Sequence, residues 1–352
     1  MKVLSLFDGI SCGMVALERA GIQVDRYVAY EIDKYAVQVS EKNYPQIEHC
    51  GDVFDGDFTQ YQGFDLLLGG SPCTYWSIAK AGREVTPDGI GGQLFMQYVR
   101  ALKESGCKYF LYENNYSIHK DIKAFISKQL GVEPVTINSA LVSAQQRKRC
   151  YWTNIPYVGE PADKGILLQD ILENGISWTD KAYCMTSSYN GAVARNTLER
   201  KQRSMVAIPI NTYKDEGEKS RTLMAGYYKY GEATIIKNKG FKGGTTAVAT
   251  PVRIGQIGKG GQGERIYSVH GKSVNISANG GGGGAKTGLY KIDLPDGDYI
   301  IRKLTPVEAE RLQTLPDNYT AGISNTQRYK CIGNGWTVDV IAHLLNGIKR
   351  SD

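Results

Sequence analysis

The first residue in this chain with obvious chemistry to offer is a cysteine that follows a proline at the end of an apolar run. In FDLLLGGSPC, the apolar stretch stops at Gly69-Gly70, and Ser71, Pro72 and Cys73 follow at once. The proline restricts the backbone, so the thiol has a set direction. Free cysteines are usually inert packing residues; a place at a strand end argues instead for a nucleophile. The next apolar run, YFLYENN, ends in Glu113 and Asn114. That spacing brings an acid to the same edge, and a nucleophile beside a proton donor is the pair that covalent catalysis requires. In QQRKR, Arg147 and Arg149 occupy alternate positions of one extended segment and face the same side. Two cations there would hold an anionic substrate or lower the pKa of the thiol.

A second constellation lies nearer the N-terminus. LFDGISCGMVAL reads as a strand, a tight turn and a helix, with Gly9 and Gly13 allowing a ligand to approach the backbone. The glycine spacing is G-x-x-x-G, which differs from the dinucleotide fingerprint and argues against a nicotinamide enzyme. Glu31 closes the next strand, where an acid accepts hydrogen bonds from ribose hydroxyls. Asp52 in CGDVF could accept from an exocyclic amine, with Val53 against a flat ring. A glycine turn, a ribose acid and an amine acceptor describe an adenosine pocket.

These residues need elements to hold them, and the first 155 positions alternate accordingly. KVLSLF, YVAYEI, FDLLLGG and YFLYEN read as strands, with PVTINSALV and KRCYWTNI as later ones. Helices fit 11–20, 34–43, 94–104 and 121–130. Strands alternating with helices imply an α/β fold, a Rossmann-like doubly wound and mostly parallel sheet. Ligands on such a sheet bind beyond the carboxyl ends of the strands, which is where FDG, YEID, GGSPC and YENN fall. From about 156 to 300 the texture changes to short β-like runs broken by glycine. Three segments beginning at Lys181, Lys219 and Lys272 share one pattern, which suggests repeated strand-turn units. Helical spacing resumes in RKLTPVEAERLQTLP, with Thr305 as N-cap and Pro306 in the first helical position, and WTVDVIAHLLNGI is the last helix. We therefore expect a first domain over 1–158, a second, smaller β-rich domain over 159–300, and helices over 301–352 that return to the first domain.

Charge separates the same parts. The 352 residues carry a net charge of +6, yet 181–291 alone hold 18 Lys and Arg against 6 Asp and Glu, and 19 of the 41 glycines. A basic, glycine-rich insert in an otherwise acidic chain suits a polyanion. Seven scattered cysteines without a C-x-x-C pair argue against a disulfide framework and for a reducing compartment. Four histidines without ligand spacing give no metal site. No apolar run reaches the roughly 18 residues of a membrane span.

FDGISCG, YEID, GDV, GGSPC, YENN, QQRKR, RKLTPVEAERLQTLPD and IGNGW occur in one order over nearly the whole chain. Together they resemble the S-adenosylmethionine-dependent DNA cytosine-5 methyltransferases. LSLFDGI, GIQVDRY, GGSPC and GNGW are locally similar to the animal de novo class, whereas the length of the insert resembles bacterial and phage enzymes. The chain departs from the family in having Ser71 for the usual proline, Thr74 for the usual glutamine, and Trp336 for the small residue of bacterial members.

The resemblance implies roles. Cys73 attacks C6 of a cytosine, Glu113 protonates N3, and Arg147 and Arg149 hold the base and sugar-phosphate. Ser71, Pro72, Asn114 and Gln145 belong with the substrate. Phe7, Asp8, Gly9, Gly13, Glu31, Ile32, Asp52, Val53, Asn334 and Trp336 bind the cofactor, S-adenosyl-L-methionine. The target base must leave the stack, which explains a thiol projecting rigidly from a sheet edge, and 74–93 would form a lid behind it. The insert becomes the target-recognition domain. The implied partner is double-stranded DNA, with a cognate restriction endonuclease as a separate candidate. A monomer in a bacterial or phage-encoded cytoplasmic setting is expected. Rival readings are a tRNA cytosine-5 methyltransferase of the same fold and a catalytically silent DNA-binding regulator.

Overall fold

The computed structural model describes residues 1–72, 75–76, 82–193, 196–197, 200–210, 234–237, 253–256, 265–267 and 298–349. Near-continuous apolar runs, buried on both faces, set up its central sheet. The strands are β1 (Lys2–Leu6), β2 (Arg26–Tyr30), β3 (Glu48–His49), β4 (Leu66–Gly69), β5 (Tyr109–Asn115), β6 (Val135–Asn138) and β7 (Lys148–Thr153). Their order is β3-β2-β1-β4-β5-β7-β6. β1, β2, β3, β4 and β5 pair in parallel, while β7 runs antiparallel to both β5 and β6. The expected mostly parallel α/β sheet is what forms.

Period-two alternation sends side chains into two helix layers. Val3, Leu66, Leu68 and Leu111 pack on one face with α1 (Cys12–Arg19) and a C-terminal helix. Leu4, Leu6, Leu67, Phe110 and Tyr112 pack on the other with α3 (Ile90–Ser105) and α4 (Lys120–Leu130). α2 (Lys34–Asn43) starts at Asp33, whose carboxylate accepts from the Tyr35 amide at 3.0 Å. α3 begins four residues before the expected 94, because Gly91 and Gly92 are helical rather than loop. A Cβ at Gly92 would collide with the Pro87 carbonyl, so the helix start can lie against that loop only without a side chain. The expected lid over 74–93 is thus shortened by the helix. Within it, Trp76 is buried in the α3-side core and donates to Glu84 at 3.2 Å, while 73–74 and 77–81 lie outside the described residues.

The chain leaves β1 toward β2 and β3, then returns across the sheet to β4 on the opposite side of β1. Side-by-side strands with diverging connections leave a crevice at their carboxyl ends. The loops after β1 and β4, Phe7–Ser11 and Gly70–Pro72, flank that crevice.

Three helices close the chain: α5 (Pro306–Leu312), α6 (Asn325–Asn334) and α7 (Val338–Lys349). α6 was missing from the sequence reading. Its signal was Ser324, which caps it by accepting from the Gln327 amide at 3.4 Å. The chain's contacts divide into two units. One comprises 1–167, 184–190 and 306–352; the other comprises 168–183 and 191–305. The divisions fall at 167 and 306 rather than 158 and 300, and 184–190 belongs to the first unit because Arg147 and Gln145 bond its backbone. The second unit contains an antiparallel sheet ordered β8 (Met205–Ile210), β12 (Asp298–Lys303), β9 (Thr234–Lys237), and a pair formed by β10 (Arg253–Gln256) and β11 (Arg265–Tyr267). The repeats at 219 and 272 lie outside the described residues.

Much of the TPVEAERLQTLP motif serves the fold. Glu310 is fully buried, pairs with Arg328 at 2.8 Å, and accepts from the amides of Asn318 and Thr320 at 2.7 and 2.8 Å. Removing one partner of a buried, fully bonded ion pair typically costs about 3–5 kcal/mol. Glu310→Ala should therefore lower the stability toward denaturant by an amount in that range. A loss under about 1 kcal/mol in urea unfolding would mean that the 316–320 turn holds itself.

Candidate active site

A cavity of about 170 Å³ opens at the carboxyl ends of β1, β2, β4 and β5. Its wall includes Phe7, Asp8 and Gly9 after β1, Glu31 after β2, and Ser71 and Pro72 after β4. Glu113 on β5, Arg147, Arg149, Asn334 and Trp336 also line it. Residues more than three hundred positions apart in sequence thus meet at one sheet edge. Cys73 immediately follows Pro72 and lies outside the described residues.

The β1 loop is shaped by left-handed backbone at Phe7 (φ 57°), Gly9 (φ 62°) and Ser11 (φ 59°). A Cβ on Gly9 would project into open space, so the glycine answers a conformational need. Its amide donates to Glu31 Oε2 at 2.8 Å, and Glu31 Oε1 accepts from the amides of Ile32 and Asp33 at 2.9 and 2.8 Å. Burial pushes the Glu31 carboxyl above its usual range, against the opposing pull of these amides. Asp8 accepts from the Tyr27 and Ser11 hydroxyls at 2.6 and 2.5 Å, which ties the loop to β2 and to the start of α1.

Glu113 is the hub of the opposite wall. Arg149 Nε lies 2.8 Å from Oε1, and the Trp336 indole N–H donates to Oε2 at 3.2 Å. Both partners of the ion pair are nearly enclosed, with side chains 13% and 12% exposed. The register explains the pairing. Asn115 on β5 faces Arg149 on β7, and Glu113 lies two positions back on the same face. Next to it, the Ser71 hydroxyl bonds the Tyr112 hydroxyl at 2.6 Å, fixing the residue before Pro72.

Arg147 has a different occupation. Its guanidinium donates to the carbonyls of Met185 at 2.8 Å, Gly335 at 2.9 Å and Gly333 at 3.3 Å. It lines the cavity but is committed to joining three stretches of chain. Gln145, expected with the substrate, is fully buried. It donates to the Leu312 carbonyl at 2.5 Å and to Gln313 Oε1 at 2.9 Å, and accepts from the Met185 amide at 3.1 Å. Asn114 is likewise buried and turned to Ser71 and Tyr112. Gly13 faces the core: a Cβ there would lie 2.7 Å from Leu68 Cδ1 and 2.8 Å from the Tyr27 hydroxyl. Its role is close packing of α1 on the sheet. Val53 packs in the α3-side core, Asp52 accepts from the Phe54 amide at 3.0 Å, and Ile32 is 74% exposed.

Cys184 was invisible to sequence reasoning. Its sulfur lies 3.5 Å from Arg147 Nη1 and 3.8 Å from Arg149 Nη2. Burial alone would push the thiol up, but the two guanidinium charges and their hydrogen bonds bring it below the ordinary thiol value. The neighbouring arginines were the available signal, but the thirty-odd residues between conceal it. Asn115, Asp33 and Cys331 also line the cavity unannounced.

Comparison with known proteins agrees with this arrangement. The family described as C-5 cytosine-specific DNA methylase matches residues 1–350. "Type II methyltransferase M.HhaI" of Haemophilus parahaemolyticus is 27% identical over 356 residues, covering 100% of this chain and 95% of that protein. "Orphan methyltransferase M.SPRI" of Bacillus phage SPR is 25% identical, covering 98% and 96%. Among solved structures, Entamoeba histolytica methyltransferase EhMeth superposes with a TM-score of 0.61 at 12% identity, covering 100% of this chain and 98% of that one. S. pombe Dnmt2 methyltransferase superposes with a TM-score of 0.56 at 13% identity, covering 100% and 99%. These two establish the likeness of fold. A sheet-edge cavity built from the sequence motifs, and a family match that runs the length of the chain, lead to one assignment: this protein belongs to the C-5 cytosine-specific DNA methylase family.

Proposed function

We propose that this chain methylates C5 of a cytosine turned out of duplex DNA, with Cys73 as nucleophile and Glu113 as general acid. The observation that carries the reading is the Glu113 carboxyl, held at both oxygens on the wall of a cavity whose other rim leads through Ser71-Pro72 into Cys73.

The family uses S-adenosylmethionine, and the residues present fit it. Gly9 leaves its side-chain direction open, and Glu31 is anchored by three amides, with lone pairs remaining for ribose hydroxyls. Phe7, Asp8, Asn334 and Trp336 would hold the rest. When bound, this cofactor supplies an electrophilic methyl group on a sulfonium. The protein's work is to make the cytosine reactive. C5 of an aromatic cytosine is a poor nucleophile, and addition of the Cys73 sulfur to C6 breaks the aromaticity and directs electron density to C5. A proton from Glu113 to N3 prevents negative charge from accumulating on the ring. Oε1 now faces Arg149 and Oε2 faces Trp336, so entry of the base must re-aim one of these donors. Once C5 carries the methyl group, loss of its proton to solvent, expulsion of the Cys73 sulfur and return of the N3 proton to Glu113 restore the ring.

Such chemistry is unreachable inside a stacked duplex. Reading of the surrounding sequence falls to the basic second unit, where Lys and Arg would position phosphates and polar loop tips would meet base edges.

Duplex DNA carrying 5-fluorocytosine at the target should trap the wild-type enzyme as a denaturant-stable adduct in the presence of cofactor, since fluorine cannot leave as a proton does. Cys73→Ala should form none; an adduct that survived this change would assign the nucleophile elsewhere. Offering S-adenosylmethionine labelled in its methyl group with either DNA or tRNA separates the RNA reading from the DNA one.

Glu113→Gln should retain DNA and cofactor binding while single-turnover methyl transfer falls by about 10²- to 10⁴-fold, the usual contribution of general acid catalysis. An unchanged rate would remove Glu113 from the proton path.

A further inference from the structure

At the sheet edge that bears the cavity, three elements place two ammonium groups against one exposed ring. Tyr116 follows the last residue of β5 and is 47% exposed. Lys123 Nζ, from the first turns of α4, lies 4.3 Å from its ring centroid, and Lys148 Nζ, from the first position of β7, lies 5.7 Å from it. The register locates this cluster. Asn115 pairs with Arg149, and both line the cavity; Tyr116 follows the one and Lys148 precedes the other, so the two-residue period turns Lys148 to the α4 face of the same sheet edge.

The ring quadrupole attracts each ammonium, and at an exposed site each such contact contributes only modestly. Against this, the two cations repel one another. An anion that bridges both ammoniums would turn the repulsion into attraction. A phosphodiester is such a group, and a nucleotide that leaves the stack needs its flanking phosphates fixed beside the mouth of the pocket, because it turns about its own backbone.

We propose that Tyr116, Lys123 and Lys148 form a phosphate clamp for the DNA strand carrying the target cytosine, with the tyrosine ring gathering the two ammoniums. The inference rests on the methyltransferase reading above and adds a binding surface to it. The clamp grips the backbone and leaves the chemistry to the cavity, so its loss weakens binding without slowing a saturated enzyme.

The test measures duplex affinity across a salt series, together with single-turnover methyl transfer at saturating DNA. Lys123→Ala/Lys148→Ala should bind several-fold to tenfold more weakly at fixed salt. Its log-affinity slope against log salt should flatten by about one per lysine, with the saturated transfer rate unchanged. Tyr116→Leu should weaken binding with a smaller change in slope, because both charges remain. A second double variant, Lys103→Ala/Lys128→Ala, removes the same charge from the last turns of α3 and α4 and should leave the slope unchanged. Wild-type affinity and slope in the Lys123/Lys148 variant, or equal flattening in the control, would overturn the clamp while leaving methyl transfer to DNA intact. A wild-type enzyme that methylated RNA and not DNA would instead overturn the underlying reading, and the DNA strand as occupant with it.

Discussion

One carboxyl group organises the candidate active site. Glu113 stands at the end of a buried strand with a guanidinium at 2.8 Å on one oxygen and an indole N–H at 3.2 Å on the other. In a nearly enclosed wall such charge-assisted contacts are stronger and more directional than in water. Each donor imposes a demand on the fold. Arg149 reaches Glu113 only because β7 runs antiparallel to β5 in the register that sets Asn115 against Arg149. Trp336 reaches it only because the chain's last helices return to the sheet edge. The mixed sheet and the C-terminal return are therefore conditions for holding a single acid in one orientation.

The return is secured by the buried polar network around Arg147, Gln145 and Gln313. Gln313 donates to the carbonyls of Ile332 and Gly335 at 2.8 and 3.1 Å, and Arg147 takes Gly333 and Gly335 from the other side. Gly333 has no room for a side chain: a Cβ there would overlap the backbone at Thr186 and Ser187. The C-terminal end of α6 thus lies against 184–190, and the QQRKR segment leading into β7 holds both. Residues that look like substrate ligands in the sequence spend their hydrogen bonds placing Trp336. The same geometry puts the Cys184 sulfur between Arg147 and Arg149, joining the network to the Glu113 pair.

The fold was largely legible because its signals are local. α2 lies over 34–43 as its spacing indicates, and the strands of the parallel sheet read directly from their apolar runs. The misses have specific causes. Gly91 and Gly92 look like a loop but form the first turn of α3, where only a missing side chain permits contact with Pro87. α6 carries little apolar periodicity in NTQRYKCIGN, so its cap at Ser324 was the sole local cue. At the site, positions were more legible than duties. The motifs named residues that reach the sheet edge, but spacing cannot tell a side chain that faces the cavity, such as Glu113, from a neighbour that faces the core, such as Asn114. Nor can it show that a guanidinium is already saturated by carbonyls, as in Arg147.

The account stands on Arg149 and Trp336 acting together through Glu113. A double-mutant cycle with Arg149→Lys and Trp336→Phe, read as the single-turnover rate of methyl transfer to DNA at saturating cofactor, measures that dependence directly. Two donors that orient one carboxyl should be non-additive, with a coupling energy of about 0.5–3 kcal/mol, and the coupling should vanish when the cycle is repeated on Glu113→Gln. Additive losses in the wild-type background, or a coupling that persists without the carboxylate, would contradict it.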